Sequence, residues 1–126
     1  MAAMTAYTST HTAHALATHR WAELNTRDFA ALDPARTVAV LPLGATEQHG
    51  PHLPLSVDTV LVDGVVNAAL MHLAATDPVL VLPTQTMGLS TAHTAFAGTM
   101  HFSPPPLILL SFDIGASVAR SGATNL

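Results

Sequence analysis

Three side chains able to hold a divalent cation fall close together in residues 44–59, GATEQHGPHLPLSVDT. Glu47 and His49 are two residues apart, so in an extended segment both point to the same side. Asp58 follows Glu47 by eleven residues, and Gly50, Pro51 and Pro54 between them can turn the chain back on itself. A set of two carboxylates and an imidazole suits Zn2+, Mn2+ or Fe2+ better than Ca2+, which takes more oxygen ligands. The same spacing also fits a plainer arrangement, with Asp58 capping a helix, Glu47 solvated and His49 in a packed polar contact. Spacing alone does not choose between the two. His52, in the same loop, reads equally as a group that orients a ligand and as a packing histidine.

The elements on either side must hold this loop in place. Residues 37–43 (TVAVLPL) are β-branched and apolar without alternation, the pattern of a strand covered on both faces. The loop therefore leaves the carboxyl end of a buried strand, where open α/β folds place their ligands. Over residues 59–75 the apolar positions Val62, Val65, Val66, Ala69, Leu70 and Leu73 recur at three and four residues and predict a helix packed on the sheet. Asp63 and His72 on that helix are expected to be solvated. Asp77 and Pro78 end it, and residues 79–82 form a second strand. Upstream, Thr26 is expected to cap a short helix carrying Phe29 and Leu32. Downstream, a loop over 83–102 leads to Ser103 and Pro104, a helix start, with Gly122 as its stop. The order β-α-β-loop-α implies a parallel sheet with right-handed crossovers, in need of a third strand.

Composition bounds the rest. The chain has 126 residues, room for one domain. Residues 1–18, mainly Ala, Thr and His, are expected to form a mobile tail, with His11, His14 and the adjoining His19 solvated; the α/β part covers 19–126. Only 10% of residues are charged against 49% hydrophobic, so burial against further protein is expected. A formal charge of -4, with no Lys, argues against a nucleic-acid partner. No Cys is present, which excludes thiolate metal sites and disulfides. No apolar stretch is long enough to span a bilayer, and the start of the chain does not read as a secretory signal. No membrane partner is expected, and a cytoplasmic enzyme fits.

Residues 41–59, LPLGATEQHGPHLPLSVDT, resemble the signature of the creatininase family, whose members carry a nearly identical P-x-G-x-x-E-Q-H-G-P-H-L-P-L-x-x-D stretch. Residues 88–99, GLSTAHTAFAGT, are similar to that family's G-x-S-x-E-H-x-x-F-x-G-T segment, and the helix begun by Pro104 also fits. The resemblance extends over about residues 21–122. It implies a three-layer αβα sandwich around a parallel sheet, of which this chain holds the N-terminal part. It also implies a metal-dependent amidohydrolase that cleaves a non-peptide or cyclic amide C–N bond through a dinuclear metal-bound hydroxide.

Carried over residue by residue, the resemblance gives Glu47 and Asp58 to one ion and His49 and Asp58 to a second, Asp58 bridging. Two divalent ions are expected, Zn2+ first, with Mn2+ or Fe2+ as alternatives. His93 falls on the family's second-segment His and joins His52 as a substrate-binding or supporting group, whereas Ala92 stands where the family has Glu. No residue is assigned as catalytic beyond the ligands. Relatives handle creatinine-like lactams, formamides and short peptides and form oligomers, so a small-molecule amide and further copies of the chain are the expected partners. Family members continue with a strand and an N-G-H-G-G-N-like motif that supplies further ligands. Residues 122–126 (GATNL) do not resemble that strand, so a truncated product with little activity of its own is expected. The alternative is a non-catalytic remnant that acts only through subunit association.

Overall fold

The β-branched, apolar residues following Arg36 form strand β1 (Val38–Val40), which pairs in parallel with β2 (Val79–Val81) in the register Val38–Val79, Ala39–Leu80, Val40–Val81. The computed structural model describes residues 15–126. β1 is shorter than the predicted 37–43 because Pro42 has no N–H to give a ladder. The pairing resumes beyond it, where Gln85 N–H donates to Pro42 O at 2.9 Å and Gly44 N–H to Gln85 O at 2.8 Å. Between the strands runs helix α2 (Val57–Leu70), after the short helix α1 (Thr26–Ala30); helix α3 (Pro104–Arg120) follows β2. The two-stranded sheet is thus parallel, with a helical crossover, as the sequence predicts.

Several boundaries differ, each for a local reason. α1 is capped by Asn25 rather than Thr26: its side chain accepts from Arg27 N–H, and Asp28 returns a bond to Asn25 N–H. α2 stops at Leu70, five residues short of the expected end, because Asp77 accepts from Ala74 N–H at 2.7 Å and closes a competing turn. The inward positions of α2 are Thr59, Val62, Asp63, Val66 and Leu70, whereas Val65 and Ala69, expected on that face, are exposed. The rotation follows from Gly44, which packs against Thr59 and fixes which side of the helix meets the sheet. Asp63 is consequently not solvated but accepts from Thr84 Oγ1 at 2.6 Å.

The two helices lie on opposite faces. Ala39 and Val118 of α3 form a buried cluster with Ala123, joined by Leu82 and Ile114; Val66 and Asn67 of α2 line a cavity with Val81, whose side chain points the other way along β2. This is the three-layer αβα arrangement. Leu80 and Thr37 are fully buried at its centre, a burial that contributes roughly 1.5–3 kcal/mol for a side chain the size of Leu. β1 is covered more on one side than on the other, with Ala39 at 2% and Val40 at 38% exposure.

β1 has a second parallel neighbour. Ala39 N–H donates to Asn125 O at 2.8 Å, and Asn125 pairs with Val38. The residues after α3 thus touch β1 through one isolated parallel bridge, and among the described residues the sheet itself has two strands. α3 ends in a left-handed Gly122 (φ +90), with Ala123 N–H returning to Val118 O and Gly122 N–H to Ala119 O. The expected tail falls largely outside the described residues, with His11 and His14. Its last part does not: Leu16 is 8% exposed and donates its N–H to Ala75 O, and His19 Nδ1 donates to Val79 O. Among the described residues no helix is long and apolar enough to cross a membrane.

Candidate metal centre

The loop leaving β1 is folded back by two contacts that the sequence makes possible. At Gly44 a Cβ would lie 2.9 Å from Thr59 Cα and 2.7 Å from its Oγ1, so only glycine lets the loop's start touch the first turn of α2. Thr59 Oγ1 donates to Ala45 O, and Glu47 N–H donates to Leu55 O, each at 3.1 Å, closing the loop. Glu47 and Asp58 are thereby brought face to face. Asp58 sits in the first turn of α2, where the helix dipole favours a carboxylate.

Glu47, His49 and Asp58 offer ligand atoms that all lie within 4.8 Å of one another. The three sequence-predicted ligands therefore converge in one place. His49 Nε2 is 3.3 Å from Asp58 Oδ1. Its Nδ1 is 3.0 Å from Glu47 O, and because a carbonyl can only accept, Nδ1 carries the proton and Nε2 is left to the cluster. The hydrogen bond to that carbonyl holds the His49 pKa above the ordinary imidazole value, with the Asp58 carboxylate adding to the effect and partial burial opposing it. Two carboxylates and an imidazole nitrogen this close together form a donor set that a divalent cation fits.

The second segment packs against this loop. Met100 N–H donates to Thr46 O at 2.9 Å, and Gln48 N–H to Thr99 Oγ1 at 3.3 Å. His93, in a short 3-10 turn (Thr91–His93), is brought within 3.4 Å of Glu47 Oε1 through its Nε2. Ala92 is exposed on that turn. His52 is not brought in: residues 50–54 bow into solvent, and among the described residues its ring makes no hydrogen bond to the cluster.

Two further groups escaped the sequence reading. Gln48 lies between Glu47 and His49 in the sequence and bonds to His93 Nδ1 at 3.0 Å; its place on the opposite side of an extended Glu47–His49 segment was the available signal. Ser90 is buried with a hydroxyl that has no partner among the described residues. Its only signal was membership of the second motif.

The creatininase family model, described as creatinine amidohydrolase, matches residues 22–126. The mycofactocin precursor peptide peptidase of Mycobacterium tuberculosis (strain ATCC 25618 / H37Rv) is 37% identical over 103 residues, covering 77% of this chain and 41% of its own length. The protein of the same name from Mycobacterium ulcerans (strain Agy99) is 38% identical over 102 residues, with the same coverage of 77% and 41%. Among solved structures, a mutant creatininase complexed with creatine superposes with a TM-score of 0.74 at 28% identity, over 86% of this chain and 43% of that one. A mutant creatininase of Zn-Zn type gives 0.70 at the same identity and coverage. The chain spans about 41% of the length of the curated relatives it matches.

Proposed function

This chain belongs to the creatininase family, and on that footing we propose that it serves metal-dependent hydrolysis of an amide C–N bond, with Glu47, His49 and Asp58 as ligands of two divalent ions. The convergence of those ligand atoms within 4.8 Å at the carboxyl end of a parallel strand carries the reading. Divalent ions bound there would supply Lewis acidity toward an amide oxygen and bring the pKa of water to about 7. The chain's own residues set the geometry. Asp58, 3.3 Å from His49 and within 4.8 Å of Glu47, is the carboxylate that would bridge the ions. The Glu47 carbonyl holds His49 in the tautomer that presents Nε2.

Zn2+ is the first candidate for an imidazole and carboxylate set, with Mn2+ or Fe2+ also compatible. The Zn-Zn creatininase supports that choice. A cyclic amide of creatinine type is one substrate class, supported by the creatininase neighbours. A short peptide is the second reading, supported by the relatives named as peptidases at 37% and 38% identity. Two ions sharing a bridge need about five protein ligands, and the described cluster offers three. Turnover by the 126-residue chain alone is therefore expected to be low. The exposed apolar side chains of α2 and α3 support assembly into a homo-oligomer.

The test is elemental analysis of the purified chain after Zn2+ or Mn2+ loading, followed by assays on creatinine, formamides and short peptides. Stoichiometric metal, lost with Asp58→Ala, is the expected result. A well-folded chain that retains no metal would overturn the proposal and leave a non-catalytic, subunit-associating role.

A further inference from the structure

We propose that Gln48 is a positioning residue for the metal site: through His93 it holds the Glu47 carboxylate in place, and His93 acts as a donor to that carboxylate rather than as a ligand. The proposal rests on Glu47 being a metal ligand. Its structural part begins at Gly50, whose backbone N–H donates to Gln48 Oε1 at 2.8 Å. A backbone N–H can only donate, so the atom that it meets must be the carboxamide oxygen. The two amide ends are thereby assigned by donor and acceptor chemistry alone.

The carboxamide NH2 must then face His93 Nδ1, at 3.0 Å. An amide N–H also only donates, so Nδ1 is the accepting nitrogen and the ring proton sits on Nε2. That nitrogen lies 3.4 Å from Glu47 Oε1, within reach of the carboxylate. The donors run in one direction, from Gly50 N–H through Gln48 and His93 to Glu47, and every partner is used in the only sense open to it. Hydrogen bonds at ligand-free sites are often long and tighten when the ligand arrives. Outer groups that hold a metal-binding carboxylate or imidazole typically change affinity by about 10–100-fold when removed.

The site is served by two such anchors of different origin. His49 is oriented within its own loop, by the Glu47 carbonyl. Glu47 is oriented from the second segment, by a turn that is 45 residues further along the chain at its contact with Gln48. Gln48 therefore couples the two motifs as well as fixing a tautomer.

Gln48→Glu tests the relay with little change of shape. A carboxylate at this position still accepts from Gly50 N–H, but its other oxygen can only accept and so requires a proton on His93 Nδ1. Long-range 15N–1H NMR on the unsubstituted, metal-free chain should show His93 protonated at Nε2 and bare at Nδ1, and in Gln48→Glu Nδ1 should gain a proton. Zn2+ titration calorimetry should show affinity weakened about 10–100-fold in Gln48→Glu and in His93→Ala, with unchanged stoichiometry, and no further loss in the double variant. An Nδ1-protonated His93 in the unsubstituted chain overturns the relay, as does Gln48→Glu binding within twofold of it. Loss of a metal equivalent in His93→Ala would make His93 a ligand and also overturn it. A chain that shows the Nε2 tautomer but binds no Zn2+ supports the relay's geometry and refutes the metal reading instead.

Discussion

Gly44→Ala should weaken metal binding without touching a ligand. The added Cβ would sit 2.9 Å from Thr59 Cα, and carbon–carbon contacts settle near 3.5 Å, so the loop and the start of α2 must separate by about 0.6 Å. Thr59 Cα is itself backbone, so backbone has to move. Asp58 precedes Thr59 and moves with it, away from His49 Nε2, now 3.3 Å from its carboxylate. A displacement of about 0.6 Å exceeds the ~0.5 Å within which a binding constellation must be held. Zn2+ affinity should drop about tenfold, the low end for groups just outside the ligand shell, which is ~1.4 kcal/mol. Overpacking costs about 1–3 kcal/mol of stability, offset by about 0.4–1 kcal/mol from a stiffer unfolded chain. The control is Gly64→Ala, in α2, where an added Cβ meets nothing within 4 Å; it should stabilise the helix by about 0.5–1 kcal/mol and leave Zn2+ binding unchanged. Calorimetric titration and urea denaturation read both quantities. If Gly44→Ala binds Zn2+ within twofold of the parent, the close approach does not set the position of Asp58 and the reasoning fails.

Other expectations follow from single contacts. His49→Ala should lose one metal equivalent and Asp58→Ala most of both, read by elemental analysis; equal losses would deny the bridge. The raised His49 pKa gives a definite sign: the protonated ring is favoured by its Glu47 and Asp58 partners in the metal-free fold, a contribution present at acid pH and lost as pH rises through the raised pKa. Zn2+ must displace that proton, so affinity should still be climbing with pH above 6.5, as titrations across pH 5.5–8 would reveal. Gly122→Ala, forced to φ +90 at the end of α3, should cost about 1–2 kcal/mol and lower Tm. Ile108, Leu109 and Phe112 are 65–74% exposed on one side of α3, so light scattering should find species larger than a monomer.

What the sequence made legible was local. β1, β2 and α3 were recoverable because β-branched runs, a Ser-Pro start and a Gly stop act within a few residues, and Glu47, His49 and Asp58 because their motif is contiguous. The rotation of α2 was not, since its apolar residues populate more than one face and the choice is made by Gly44 against Thr59, fifteen residues apart. The end of α2 was misread for a related reason: hydropathy continues past Leu70, but the Asp77 side chain competes for the backbone there. Gln48 and Asp63 escaped because their partners, His93 and Thr84, lie in other segments. His52 is near Glu47 and His49 in sequence but lies in the exposed stretch 50–54.

The pairing of Ala39 with Asn125 bears on the order in which the molecule assembles. β1 receives one neighbour after a crossover of about forty residues and the other only from a residue 86 positions beyond Ala39. Closing a loop of that length costs entropy before the contact repays it, so the strand from which the Glu47 loop springs is among the last parts to become fully protected. Amide exchange should record this at Ala39, whose N–H has Asn125 O as its acceptor. A perturbation at the far end of α3 should thus speed exchange in β1 and loosen the acid and imidazole cluster from behind, with no residue of the cluster changed.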